Sequence, residues 1–150
     1  MSHATTTFYI GLGADNRHDG SVGLWLARAL AARGATQCLA LSRDDAALIE
    51  TMDTHSDVIL VDATQSGHAP GTVRRFDASA GPVPLDVFRH PAGSVGVAET
   101  VETARAMGCL PPRLTLIGIE GQDFSVGTGL SPQVEWAAAR LLEELSHKII

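Results

Sequence analysis

"DVILVDA", residues 57–63, sets the terms for the whole chain. Four apolar residues, Val58 to Val61, stand in a row, and three of them are β-branched. A half-buried strand would alternate apolar and polar positions. A continuous run instead predicts a central parallel strand covered on both faces. Asp62 follows at its C-terminal end. A carboxylate there is costly to desolvate unless it has partners, which makes it a candidate functional residue. Its structural alternative is a carboxylate that accepts backbone N–H bonds from a neighbouring loop.

Parallel neighbours require crossover helices, and the flanking sequence supplies them. Residues 6–12 and 36–42 read as strands before this one, and "RLTLIGI" (113–119) as another buried strand after it. "TVRRFDA" (72–78) reads as a weaker strand. Val22, Trp25, Leu26, Ala29 and Leu30 share one helical face, and Gly34 closes that helix. Residues 43–53 read as a helix with acids in its first turn. Ser94 is a candidate cap for a helix with Val97, Val101, Ala104 and Met107 inward and Gly108 at its end. Ser131-Pro132 marks a further helix start, with Val134, Ala138, Leu141, Leu142 and Leu145 inward. This alternation predicts a single α/β domain over residues 1–150: a three-layer α/β/α sandwich with a mostly parallel central sheet. Ligands of such sheets bind outside the C-terminal strand ends. That directs attention to residues 11–23, 62–70 and 120–130, joined by the Pro-rich stretch 81–96.

Composition narrows the partners. The 150 residues are 45% apolar and 19% charged, with a formal charge of -6. Nucleic acid and anionic membranes need clustered Lys/Arg, and Arg74-Arg75 is the only basic pair, so neither is expected as a partner. The two cysteines, Cys38 and Cys109, form no CxxC and read as buried free thiols. "MSHATTT" lacks the basic and apolar regions of a signal peptide, and no apolar stretch approaches 18 residues. A cytoplasmic location is expected.

"GLGADNRHDGSVG" (11–23) follows the first strand. Gly11-x-Gly13 suggests a dinucleotide loop, but Asn16 stands at the third glycine and the helix begins too late to receive a phosphate. A serine nucleophile elbow needs G-x-S-x-G, and "DGSVG" and "AGSVG" put Asp19 and Ala92 at the first glycine. What remains is acidic and imidazole groups on loops: His18, Asp19, Asp62, His90, Glu120 and Asp123.

Four stretches, "YIGLGADNRHDGSVG", "DVILVDATQSGHAPGTV", "GVAETVETARAMGCLPPRLTLIGIEGQDF" and "GLSPQVEWAA", resemble the [NiFe]-hydrogenase maturation endopeptidases, and the third is similar to the branch serving cytoplasmic, NAD-linked hydrogenases. The resemblance implies an endopeptidase that removes the C-terminal extension of a hydrogenase large-subunit precursor after nickel insertion. The precursor is the implied partner, its nickel is the metal recognised, and no cofactor is permanently bound. Two carboxylates and a histidine sense that nickel in the family. One carboxylate falls on Asp62. The other falls on Gly20, beside Asp19, and the histidine on Gly93, three residues after His90. The implied set is therefore Asp19, Asp62 and His90, with Asp62 and Asp19 assisting hydrolysis. The alternative is a non-catalytic homologue that binds or checks the precursor, because glycine at positions 20 and 93 offers no side-chain ligand.

Overall fold

The computed structural model describes residues 6–42, 44–88 and 96–149. Among these residues five strands form one sheet: β1 (Phe8–Gly13), β2 (Cys38–Ser42), β3 (Asp57–Thr64), β4 (Val73–Asp77) and β5 (Arg113–Glu120). Among the described residues four helices cover it: α1 (Val22–Ala32), α2 (Asp45–Asp53), α3 (Val97–Met107) and α4 (Pro132–Ile149). A 3₁₀ turn, His18–Ser21, precedes α1. The strand order is β2-β1-β3-β5-β4. Pairs β1–β2, β1–β3 and β3–β5 are parallel, and only edge strand β4 runs antiparallel to β5. The expected mostly parallel sandwich is what forms.

The continuous apolar run of β3 is explained by its two covers. Ile59, Val61 and Ala63 pack in one core with α1 and α4. Val58 and Leu60 pack in the other with α2 and α3. Successive side chains of a strand point to opposite faces, so Asp62 lies on the α2/α3 side. All five predicted inward residues of α4 are buried, because a long amphipathic helix must turn that stripe to the sheet.

Gly11 and Gly23 make the close approach of α1 to β1. A Cβ on Gly11 would meet the Gly23 carbonyl, and one on Gly23 would meet the carbonyls of Leu12 and Val61. The first glycine of "GLG" is thus a packing residue.

Several local expectations are corrected. Met107 is 61% exposed, since it sits in the last turn of α3 as the helix leaves the sheet. The N-cap of α3 is Gly96, not Ser94, which lies outside the described residues; the extended backbone at Gly96 begins the helix without a side-chain cap. Cys38 and Cys109 are free, as expected, but only partly buried. Leu24 and Ala27 also join the buried face of α1, while Trp25 and Ala29 are only partly buried. No described helix is long and apolar enough to cross a membrane.

Candidate functional site

The strand order reverses at β1: the chain places β2 on one side of it and β3 on the other. In open α/β sheets such a reversal marks the place, outside the C-terminal ends of β1 and β3, where ligands bind. Asp62 stands there, one step from the last two residues of β3, and is 3% exposed. Its Oδ1 accepts the N–H of Ala63 at 2.8 Å. Across the sheet Asp62 is paired with Gly118, where a Cβ would crowd Thr64 and the ring of Phe88. A residue without a side chain therefore flanks the carboxylate on its own face.

Asp19 lies at the same end of the sheet but is engaged differently. It is fully buried in the 3₁₀ turn. Its Oδ2 accepts from the N–H groups of Gln122 (2.7 Å) and Asp123 (3.0 Å) and from the Ser131 hydroxyl (2.7 Å). Its Oδ1 accepts from the Ser131 N–H at 2.7 Å. A carboxylate offers about four lone-pair sites, and four donors already use it. Backbone bonds reinforce this clamp: Asp19 N–H to Asp123 O, His18 N–H to Gly127 O, and Gly127 N–H to Asn16 O, at 2.9–3.0 Å. Asp19 thus ties the loop after β1 to the loop after β5. Ser131 stands at the head of α4 as expected, and its carbonyl accepts from Glu135, but its hydroxyl serves Asp19 in place of capping the helix.

Gly20, beside Asp19, is buried against Arg17 and Phe124. His90, with Gly93, lies outside the described residues. Among the described residues no group of three or more His, Cys, Asp or Glu is placed to hold a metal ion.

The remaining candidates have local work. His18 shares its Nδ1 with the Gly129 carbonyl at 3.1 Å, and its Nε2 lies 4.0 Å from Asp123. Asp123 accepts from the hydroxyl and N–H of Ser125, which hold its carboxyl below the usual range. Asp15 pairs with Arg28 at 3.0 Å on the surface.

Glu120 is a correction. The sequence suggests a loop acid, but β5 runs one residue further and Glu120 is its last residue, 3% exposed, opposite Thr64. Oε1 accepts from the hydroxyls of Thr64 and Ser66, both at 2.7 Å. Oε2 accepts the N–H groups of Ser66 (2.9 Å) and Gly67 (3.2 Å). Burial pulls its pKa upward, but the Ser66 and Thr64 hydroxyls and the two N–H groups outweigh it and hold the carboxyl below its ordinary value. No spacing rule marks this acid; only the added strand pair brings it to Thr64.

Comparison with known proteins fits this geometry. The family model for HycI, hydrogenase maturation protease, matches residues 43–148. The hydrogenase expression/formation protein HupD of Rhodobacter capsulatus is 27% identical over 103 residues, covering 65% of this chain and 49% of that protein. The chain spans about half the length of this curated relative. The fold is similar to the hydrogenase maturating endopeptidase HybD from E. coli, with TM-score 0.75 and 24% identity over 93% of this chain and 89% of that one. It is also similar to the [NiFe] hydrogenase maturation protease HycI from Thermococcus kodakarensis KOD1, with TM-score 0.75 and 18% identity over 97% and 92%. With the matched family model covering most of the sheet, all of α3 and most of α4, the chain belongs to the hydrogenase maturation protease family.

Proposed function

We propose that this protein is an endopeptidase that removes the C-terminal extension of a [NiFe]-hydrogenase large-subunit precursor once nickel is in place. The observation that carries the reading is Asp62: a buried carboxylate near the C-terminal end of the central strand, at the end of the sheet where the strand order reverses, in a chain of this family. Nickel arrives as part of the substrate. A carboxylate and an imidazole suit a borderline divalent ion, so Asp62 and His90 are the proposed contacts. Asp19 supports the reaction by tying the loop after β1 to the loop after β5, since its oxygens are taken up by Gln122, Asp123 and Ser131.

Docking of the nickel centre would hold the adjoining amide in one orientation, which supplies much of the rate through proximity. Water then adds to the amide carbonyl, the C–N bond breaks, and the water's proton passes to the leaving amine. Asp62 is the proposed group to orient that water and relay its proton. The partner is the precursor, with no cofactor resident in the protein, and the proposed location is the cytoplasm.

The test is incubation of purified protein with nickel-loaded precursor, read by intact mass. Wild type should shorten the precursor, and Asp62→Ala should not. Undiminished cleavage by Asp62→Ala would overturn the mechanism. A second reading has its own observation, the absence of a side chain at Gly20. In it the protein binds or checks the precursor without cutting, and a pull-down that recovers only full-length precursor would favour it.

A further inference from the structure

Glu120 belongs to no part of the reaction described above, yet it is among the most completely satisfied carboxylates in the molecule. Its four bonds all run to one short segment, Thr64 to Gly67. That segment begins two residues after Asp62, and Thr64 shares a sheet face with Asp62. The chain leaves the sheet at Thr64 and turns at Gly67, whose φ is +86°. The N–H of Gln65, in the middle of the segment, bonds to the carbonyl of Val87 at 3.4 Å, and the N–H of Gly121 bonds to Thr64 O at 3.0 Å. Glu120 therefore holds the exit of β3 between β5 on one side and the 81–88 stretch on the other.

We propose that Glu120 is a positioning residue for the peptidase reaction, fixing the Thr64–Gly67 turn so that Asp62 is presented to the substrate in one orientation. This role rests on the peptidase reading. The carboxylate is placed to do it because it accepts from hydroxyl and backbone donors together. A neutral amide cannot: in Glu120→Gln one oxygen still serves the two hydroxyls, but an NH₂ group confronts the N–H groups of Ser66 and Gly67. A misplacement of about 1 Å, transmitted from outside the reacting groups, can cost about 100-fold in rate.

The experiment compares wild type, Glu120→Gln and Ser66→Ala as full chains, by precursor cleavage and by amide hydrogen exchange. In Glu120→Gln, kcat/KM should fall by up to about 100-fold, with kcat lowered and KM raised, because Asp62 is proposed both to contact the nickel and to relay the proton. Exchange should rise at Ser66 and Gly67 while α1 and α4 keep their protection. Ser66→Ala removes one donor, leaves the carboxylate in place, and should show a smaller change of the same kind. A Glu120→Gln protein that cleaves like wild type overturns the proposal. So does a uniform rise in exchange across the sheet, which marks a merely stabilising role. A wild type that never shortens the precursor overturns the peptidase reading first, and this role with it.

Discussion

Asp19 and Asp62 are both buried acids at one end of the sheet, and the four donors to Asp19 define its role. Asp19 is a clamp. Asp19→Asn keeps its shape but turns two donors toward N–H and O–H groups that need an acceptor. Charge-assisted bonds contribute about 1.5–3 kcal/mol each, and partial relaxation will leave a loss of roughly 2–4 kcal/mol, read as a lower urea midpoint. Gly20 supplies the complementary test. A Cβ there would stand 3.1 Å from the Arg17 Cβ and 3.5 Å from Phe124 Cδ1, so Arg17 must shift by a few tenths of an ångström to admit a side chain. Gly20→Glu puts a carboxylate where the resemblance implies one and should raise Ni²⁺ affinity over wild type by calorimetry. An unchanged affinity would show that the position is out of reach of Asp62. In the sequence, Asp19 and Asp62 look alike as ligands. Nothing local marks Asp19 as saturated, because its donors come from residues 122–131, over a hundred positions away.

The contact of α1 with β1 depends on paired glycines. Gly23→Ala drives a methyl into the carbonyls of Leu12 and Val61, and backbone cannot yield as a side-chain tip does. Overpacking of this kind costs about 1–3 kcal/mol or more, measurable by urea denaturation, although alanine has the higher helix propensity. The elements themselves were legible in the sequence. β3 was legible from its unbroken apolar run and α4 from its inward stripe, because burial on two faces or on one leaves a direct pattern in residue order. The antiparallel direction of β4 was not, since "VRRFD" reads the same whichever way it pairs. Nor was the end of β5, because Glu120 is polar and interrupts the apolar signal that marked the strand.

For the molecule as a whole, the Glu120 clamp predicts a pH dependence. Its folded pKa lies below its unfolded one, so its contribution to stability is present above the ordinary glutamate value of about 4.3 and is lost as pH falls through the lower folded value. Asp77, Asp123 and Glu102, each held low by hydrogen bonds from Ser79, Ser125 and Arg105, act in the same direction. Wild type should therefore lose its stability advantage over Glu120→Gln on acidification below about pH 4.3, in parallel urea titrations. A gap that widens in acid would contradict the clamp.

Sequence alone carried the architecture and the family. Apolar periodicity reports which faces are covered, and short motifs keep their order along the chain. It also singled out Asp62, since a carboxylate that ends a central strand is conspicuous one residue at a time. What only the tertiary structure decided is how each acid is used. Asp19 became a clamp, Glu120 a strand residue holding the β3 exit, and Gly11 a packing surface for α1. Each of those assignments depends on donors or backbone that meet only when β1, β3 and β5 lie side by side, and no spacing within a segment encodes that meeting.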